Sequence, residues 1–302
     1  MISILIPIFN FDCRQLVNDL SQQCEALGVD YEVICFDDGS EERFKQLHRA
    51  HFKPPVIYRE MSQNLGRSAI RNALAKAASN PYLLFMDCDS KVVRDDFMLT
   101  YFNHLKPDTL LYGGRCYSPK PFDNQSFIFH WTYGKQREQS TVEERKRHPW
   151  HSFMTNNFLI PKAVFEKIGF DETLKQYGHE DTLFGLQLAK NGTQIKHLDN
   201  PLEHLGLEPS RVFLNKTALG LQNLHVLWKR NTAIQTKLLT YFVHLKKWRM
   251  SALAALIFKA LQPVLEKQLQ SKNPSLRLFD FYKLGYLCWW DRQQTSKNKK
   301  GQ

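Results

Sequence analysis

The first ninety residues alternate short apolar runs with segments of helical periodicity. The runs "ISILIPI" (2–8), "YEVICF" (31–36) and "YLLFM" (82–86) are almost uninterrupted, whereas "GRSAIRNALAKAA" (66–78) repeats alanine every fourth residue. Continuous apolar strands that alternate with helices predict a parallel sheet covered on both faces. Ligands bind such sheets beyond the carboxyl ends of the strands, so the residues that follow each run are the first candidates for a functional site.

The remainder of the chain is less regular. The segment "TLLYGGRCY" (109–117) predicts one further strand, and residues 118–150 predict a loop or small helices. Residues 156–169 predict a strand followed by a helix, and 179–192 predict a helix with an acidic start. Beyond residue 210 the chain is expected to be almost wholly helical.

Length and composition narrow the class of protein. A chain of 302 residues with 43% hydrophobic residues can bury a large core. It contains no apolar run of the roughly 18–20 residues that span a bilayer. The amino terminus lacks a basic region and a cleavage site, which favours a first strand over a signal peptide. The six cysteines form no CxxC pair, so we expect buried, reduced thiols and a cytoplasmic protein.

The charge of the chain is unevenly placed. Residues 229–302 contain 15 basic and 3 acidic residues, whereas residues 1–228 contain 26 and 27. This shift predicts an organisational boundary near 210–230. The basic, aromatic-rich end could contact anionic lipid headgroups, or it could be a helical cap whose polar face is basic. No nucleic-acid motif accompanies the charge, so no nucleic-acid partner is expected.

Acidic residues follow two of the predicted strands. Asp37 and Asp38 could form a turn, or a carboxylate there could bind a nucleotide base or ribose. Asp87 and Asp89 could cap a turn, or they could coordinate Mg²⁺ or Mn²⁺, which prefer oxygen ligands. Two like charges side by side cost free energy unless a positive group lies between them.

Other ionisable residues also allow two interpretations. Glu180 and Asp181 could complement a helix dipole, or one of them could be a general base. Arg67 and Arg71, one helical turn apart, could be solvated charges or could contact phosphate or the aspartates. His204 could be an ordinary core or surface histidine.

The order of the segments "SILIPIFN", "EVICFDDGS", "NLGRSAIRNALAKAA", "YLLFMDCDS", "NNFLIPKAVFEKIGFDE" and "YGHEDTLFGLQLAKNG" resembles that of the family 2 inverting glycosyltransferases. The resemblance covers Ser3 to His204. It implies an α/β GT-A fold, a Rossmann-like mixed sheet with helices on both faces. It further implies a glycosyltransferase domain over 1–210, with a nucleotide-sugar half (1–105) and an acceptor half (106–210). A basic helical region would follow at 211–302.

The same resemblance implies a role for each matching residue. Nucleotide-sugar binding would fall to Pro7, Ile8, Asn10, Asp37, Asp38, Arg67, Arg71, Asp87 and Cys88. Mn²⁺ or Mg²⁺ would be held by Asp87, Asp89 and His204. Asp181 would be the catalytic base, with Glu180 orienting the acceptor. Acceptor contacts would come from Asn156, Asn157 and His179.

The function that the resemblance implies is metal-dependent, inverting transfer of a sugar from a nucleoside-diphosphate sugar. UDP-sugar would be the donor, and a hydroxyl of a glycan or lipid-linked glycan the acceptor. A sugar nucleotidyltransferase or a Rossmann dehydrogenase would normally carry a glycine-rich phosphate loop after the first strand, and "IPIFNFDCR" has none. A non-catalytic sugar-nucleotide or glycan-binding module is the remaining alternative, although both acidic centres are present.

Overall fold

The computed structural model describes residues 1–121, 124–174, 178–230, 234 and 236–300, without the side chains of 297–300. It contains two compact units. The first comprises residues 1–118, 137–175 and 180–206, and the second comprises 119–136, 176–179 and 207–302.

The centre of the first unit is a seven-stranded mixed sheet in the order β3-β2-β1-β4-β8-β6-β9. Strands β1 to β4 are mutually parallel, and β8 runs antiparallel to both β4 and β6. The predicted parallel sheet is therefore confirmed for the first half, and the predicted mixed sheet for the whole. The strands are β1 (Ile2–Ile8), β2 (Tyr31–Asp37), β3 (Val56–Glu60), β4 (Tyr82–Met86), β6 (Thr109–Tyr112), β8 (Asn157–Pro161) and β9 (Gln194–His197).

Helices cover both faces of this sheet, as predicted. Alternate residues of β1 enter two different apolar clusters: Ile4 and Ile6 pack with α1 and α4, and Leu5 packs with α3, α7 and α8. Each face of a strand that is buried on both sides must be apolar, which explains the uninterrupted apolar runs. The helices of this unit are α1 (Arg14–Ala26), α2 (Glu42–His51), α3 (Arg67–Ala77), α4 (Phe97–Phe102), α6 (Val142–Lys146), α7 (Lys162–Ile168) and α8 (Glu180–Lys190).

A second, three-stranded sheet in the order β5-β10-β7 was not predicted. It consists of β5 (Ser90–Val92), β7 (Arg115–Cys116) and β10 (Leu202–His204). The prediction of one strand over 109–117 is wrong, because β6 and β7 belong to different sheets. The chain changes direction at Gly113 and Gly114. A Cβ atom at Gly113 would lie 2.4 Å from the Asn200 carbonyl oxygen, so the close approach there requires glycine.

The second unit is helical in its described residues, which confirms the expectation for the chain beyond 210. Its apolar cluster joins buried residues of α5, α9, α11 and α12, among them Phe129, Phe213, Phe258 and Phe279, and Leu238 of α10 packs against it. No helix in the described ranges is long and apolar enough to cross a membrane. The helices are α5 (Ile128–Tyr133), α9 (Ser210–Lys229), α10 (Lys237–Lys247), α11 (Ser251–Leu269) and α12 (Leu276–Lys300), with a 3-10 turn (Gln125–Phe127) before α5 and a π-helical turn (Gly134–Glu138) after it.

Candidate active site

The end of β2 places two carboxylates in buried positions. Oδ1 of Asp37 accepts a hydrogen bond from the Ser40 amide at 2.7 Å, which closes the turn that the sequence predicted as one alternative. Asp38 accepts hydrogen bonds from the amides of Leu65 and Gly66 at 2.6 and 3.2 Å. Burial, together with the charge of Asp37, outweighs these bonds and raises the pKa of Asp38. Both carboxylates therefore shape the loops at this edge of the sheet.

The end of β1 lies beside this turn. The Asn10 amide donates to Ser40 Oγ at 2.8 Å, and Asn10 Oδ1 accepts from the Glu41 amide at 2.8 Å. Asn10 has a left-handed backbone (φ 51°), which asparagine tolerates better than most residues. Pro7 is partly exposed. The Ile8 side chain is completely buried, and its carbonyl accepts from the Asp38 amide at 2.8 Å.

Two arginines hold the first aspartate after β4. Oδ1 of Asp87 accepts from Arg71 Nη2 at 2.8 Å, and Oδ2 accepts from Arg115 Nη2 at 3.1 Å. Arg71 is 3% exposed, so this pairing is shielded from water. The positive groups beside Asp87 are protein side chains, and they neutralise the charge that the sequence left unexplained.

The second aspartate lies against the small sheet. Oδ1 of Asp89 lies 3.4 Å from Nδ1 of His204, because β5 and β10 pair antiparallel with Ser90 opposite His204. Burial alone would raise the pKa of Asp89, but His204 and the more distant Arg115 lower it below its usual range. Asp89 is thus an ionised carboxylate beside an imidazole, at the carboxyl end of β4.

The two acidic residues at the start of α8 have different contacts and pKa shifts in opposite directions. Glu180 is buried and lies 3.1 Å from Arg67 Nη1 and 3.9 Å from Arg71 Nη1. Burial would raise the pKa of Glu180, but the two arginines lower it. Burial and the neighbouring Glu180 raise the pKa of Asp181 to about 6. Two adjacent carboxyl groups whose pKa values are pushed apart are typical of acid–base sites.

These contacts form one continuous network in the first unit. Asp87 binds Arg71, Arg71 approaches Glu180, and Glu180 binds Arg67. The network joins the carboxyl end of β4 to the amino-terminal turn of α8, which are more than ninety residues apart in the sequence. It brings the predicted metal-binding and catalytic motifs to the same edge of the sheet.

Two of the predicted acceptor-binding residues, Asn156 and Asn157, are buried beside the end of β4. Asn157 is completely buried, and its amide group bonds to the Gly114 and Asn200 carbonyls while its Oδ1 accepts from Tyr101. Asn156 is 2% exposed, and its carbonyl accepts from the Asp87 amide at 3.1 Å. These bonds support the strand that carries the site, and acceptor binding by either residue stays a prediction.

Two further predicted residues have distinct surroundings. Cys88 is partly buried against the apolar cluster of α1 and α4, and burial raises the pKa of its thiol. His179 has a left-handed backbone (φ 69°) and belongs to the second unit. All six cysteines are free thiols, as expected, although Cys88 and Cys116 are only partly buried.

The family described as Glycosyl transferase family 2 matches residues 3–169, more than half of the chain. The chain belongs to glycosyl transferase family 2. The match spans β1 to α7 and so includes both acidic strand ends.

A curated relative is similar to this chain in sequence, and two solved structures are similar to it in fold. Chondroitin synthase of Escherichia coli is 25% identical over 236 residues, which are 67% of this chain and 34% of that protein. The chain therefore spans about a third of the length of that relative.

One solved structure is that of the mannosyltransferase PcManGT of Pyrobaculum calidifontis in complex with GDP-Man and Mn²⁺. It has a TM-score of 0.60 at 12% identity, and the match covers 98% of this chain and 87% of the PcManGT chain. S. aureus TarS 1–349 in complex with UDP-GlcNAc has a TM-score of 0.51 at 16% identity, with coverages of 97% and 92%. The fold is the GT-A fold, in keeping with a chain that belongs to glycosyl transferase family 2.

Enzymes of this fold typically use a divalent metal, and the residues of this family 2 chain fit one. Oδ1 of Asp89 is buried and lacks a well-aligned donor among the described residues, and the His204 ring faces it. Carboxylate oxygen suits both Mn²⁺ and Mg²⁺, and an imidazole nitrogen beside it favours Mn²⁺ over the harder Mg²⁺. No group of three or more His, Cys, Asp or Glu side chains in the described ranges is arranged to hold a metal ion by itself, so water and substrate oxygens would complete the coordination. Asp87, whose oxygens both bind arginines, is less suited than Asp89.

Arg115 is the principal site residue that the sequence did not reveal. It joins Asp87 to Glu138, with Arg115 Nη1 lying 3.1 Å from Glu138 Oε2, and the Tyr117 hydroxyl donates to the same oxygen. Arg115 follows a glycine pair in a strand of the small sheet, and no motif marks it. Only the tertiary structure brings its guanidinium to the aspartate.

Proposed function

We propose that this family 2 glycosyltransferase is metal-dependent and inverting, and that it transfers a sugar from a UDP-sugar to a hydroxyl of a glycan or lipid-linked glycan. The network that runs from Asp87 through Arg71 and Glu180 to Arg67 carries this proposal. It brings two arginines that are suited to bind phosphate to one edge of the sheet. Asp89, the candidate metal ligand, and Asp181, the candidate base, follow Asp87 and Glu180 closely in the sequence.

The donor nucleotide would lie over the ends of β1 and β2. Asp37 and Asp38 hold the turn and loop there, and Asn10 and Pro7 form the adjoining end of β1. We assign the base and ribose contacts to this surface. Residues of the carboxyl end of parallel strands commonly bind nucleotides in such folds.

The diphosphate would lie near the end of β4. Asp89 and His204 would hold Mn²⁺ or Mg²⁺, which when bound would supply Lewis-acid neutralisation of the departing diphosphate. The side chain of Arg67 is half exposed, and its ion pair with Glu180 holds it at this edge of the sheet. Arg67 is therefore suited to bind phosphate oxygens directly. Asp87 and Arg115 fix the position of the buried Arg71.

Asp181 would be the general base. Its Oδ1 accepts from the Thr182 amide at 2.6 Å, which orients the carboxylate and leaves Oδ2 to take the proton of the acceptor hydroxyl. A pKa of about 6 keeps most of the group ionised at neutral pH while making it a stronger base than an ordinary aspartate. Attack on the side opposite the leaving diphosphate would invert the anomeric centre.

The relatives guide the choice of donor. TarS has been solved with UDP-GlcNAc and PcManGT with GDP-Man, and chondroitin synthase is a relative by sequence. We choose a UDP-sugar and a glycan acceptor on this basis. We place the transferase chemistry in residues 1–210, with 1–105 for the donor and 106–210 for the acceptor, and treat 211–302 as a helical extension of a protein that works in the cytoplasm.

A thermal-shift screen tests the proposal. UDP-, GDP- and dTDP-sugars would be compared with and without Mn²⁺, since a ligand that binds the folded state raises its melting temperature. We expect one UDP-sugar to raise it by several degrees only with Mn²⁺, and Asp89→Asn to abolish the increase. Asp95→Asn, an exposed aspartate in the loop before α4, is the control. Equal shifts with EDTA, or an unaffected Asp89→Asn protein, would contradict metal-dependent donor binding.

A hydrolysis assay separates an enzyme from a binding module. An active transferase slowly releases nucleoside diphosphate from its donor in the absence of acceptor. Donor binding without any release, with or without candidate glycan acceptors, would favour the non-catalytic alternative.

A further inference from the structure

Helix α11 of the second unit has two apolar faces. One face consists of Ala255, Phe258, Leu265 and Leu269, which are at most 5% exposed. It packs against α12, where Gly285 allows close contact because a Cβ atom there would lie 2.6 Å from Phe258 Cβ. The opposite face, which we call the outer face of α11, comprises Leu253, Leu256, Ile257, Leu261 and Val264, all between 41% and 66% exposed.

The outer face is a continuous stripe. Its members recur at intervals of three and four residues, which places them on one side of a helix. The stripe runs from Leu253 to Val264 and is therefore about 17 Å long. An exposed apolar stripe of this length is unusual on a protein surface and indicates a binding partner.

The turn before α11 extends the exposed apolar surface. Trp248 and Met250 are 65% and 46% exposed, and Tyr241 in α10 is 63% exposed. Tryptophan and tyrosine have an apolar ring with a polar group, and such residues concentrate where hydrocarbon meets water. Trp248 and Met250 thus directly precede the helix that carries the outer face.

The charge around this surface is strongly positive. Between Lys237 and Leu269 the chain has six basic residues and one acidic residue, Glu266. Glu266 accepts a hydrogen bond from Gln262 within α11. Lys247 and Arg249 are exposed and flank Trp248 directly.

We propose that the outer face of α11 and the turn 248–250 dock on an anionic lipid bilayer, with α11 lying parallel to the membrane plane. Apolar side chains would enter the headgroup boundary while the neighbouring lysines and arginines contact lipid phosphates. A second copy of the chain fits less well, because a symmetric dimer through this face would bring two basic surfaces together. The proposal concerns the second unit alone and does not depend on glycosyl transfer.

Vesicle flotation of the full chain tests this surface. The vesicles would be phosphatidylcholine alone, or phosphatidylcholine with about 30% phosphatidylglycerol. We expect binding to the anionic vesicles only, weakened at high salt. Leu256→Gln with Val264→Gln should reduce the binding about tenfold or more, because two of the most exposed apolar side chains are lost. Lys247→Glu with Arg249→Glu should also reduce vesicle binding, because two positive charges that would contact lipid phosphates become negative.

Matched controls lie in the first unit. Leu47→Gln in α2 removes a helix-surface leucine of 38% exposure, and Lys106→Glu reverses an exposed charge. Both should float as the unsubstituted protein does, and all variants should keep their melting temperature and donor hydrolysis. The proposal is overturned if the unsubstituted chain stays unbound, or if the α11 double variant floats equally well. It is also overturned if the unsubstituted chain binds no vesicles and light scattering shows that it is a dimer while the α11 double variant is a monomer.

Discussion

Oδ1 of Asp89 lies 3.4 Å from Nδ1 of His204, although 114 residues separate the two in the sequence. The pairing of β5 with β10 produces this distance. The amide of Leu205 donates to the Asp89 carbonyl at 2.7 Å, which fixes the backbone on the other side of the pair. Gly206 lies directly against the Asp89 carboxylate, since a Cβ atom there would lie 2.0 Å from Asp89 Oδ2. The main chain of Asp89 is thus fixed beside the end of β10, and its carboxylate lies between His204 and Gly206.

Gly206→Ala should disturb the Asp89 carboxylate without unfolding the protein. The new methyl group would force the carboxylate to rotate, and the rotation would move it from His204. We expect Mn²⁺-dependent donor binding, measured by calorimetry, to weaken about tenfold or more, since carboxylate position decides ligation. The free energy of unfolding in EDTA should fall by about 1–3 kcal/mol, because the new methyl group also meets Asp89 Cγ and Cβ at 2.7 and 2.9 Å. Unchanged metal affinity would argue against Asp89 as a ligand.

Asp181→Asn should remove most of the transferase activity. Base catalysis typically contributes about 10²–10⁴-fold, and asparagine cannot accept the proton. The loss should appear in kcat, with the donor affinity nearly unchanged, and steady-state kinetics with the identified donor would measure both. Asp95→Asn is the matched control and should retain full activity. A fully active Asp181→Asn enzyme would refute the assignment of the base.

The raised pKa of Asp181 gives a pH dependence with a definite sign. The base must be ionised, so the rate should fall as the pH drops below about 6. For stability the direction is opposite. The folded state binds this proton more tightly than the unfolded chain, so the contribution of this carboxyl group to stability is present at about pH 4 and is lost as the pH rises through about 6.

Asp181→Asn therefore has a second expected effect. At about pH 8 the variant should be more stable than the unsubstituted protein by about 1–2 kcal/mol, less than the full pKa shift implies because Asp181 is partly exposed. At about pH 4 the difference should vanish. Urea unfolding at the two pH values measures both. A variant that is less stable at pH 8 would contradict the repulsion between Asp181 and Glu180.

The main sheet was predictable from sequence because burial on both faces leaves a strong signal. Strands β1 and β4 are almost entirely apolar, and α1 and α3 have clear helical periodicity. Strands β5 and β10 have three residues each and β7 has two, so they are too short for an alternating pattern. The segment 109–117 was misassigned because its apolar residues continue past Gly113, where backbone crowding, not hydropathy, ends the strand.

The site was predictable where a motif lies at a strand or helix end. Asp87, Asp89, Glu180 and Asp181 follow from that position together with the family resemblance. The sequence did not reveal which charged side chains contact one another. The opposite charge that balances Asp87 is a pair of arginines, and one of these, Arg115, lies in a strand whose partners come from distant segments. Such pairings depend on tertiary structure and leave no local pattern.

Arg115→Met should be strongly destabilising. Its guanidinium bonds to both Asp87 and Glu138 and its side chain is 13% exposed, so its removal leaves two neighbouring carboxylates without their shared cation. Removing one member of a buried ion pair costs about 3–5 kcal/mol, and we expect the lower end because Asp87 and Glu138 retain some solvent contact. The free energy of unfolding from urea titration measures the loss.

Arg94→Met is the matched control for this prediction. Arg94 also binds an aspartate, Asp96, at 2.8 Å, but the two side chains are 38% and 49% exposed. Its loss should cost less than about 1 kcal/mol, because water and salt already screen the pair. Arg115→Lys should recover only part of the stability, since an ammonium group lacks the planar fork that bonds to two carboxylates at once. Equal losses for Arg94→Met and Arg115→Met would mean that the network around Asp87 is solvated, and that Arg115 does not fix the position of Arg71.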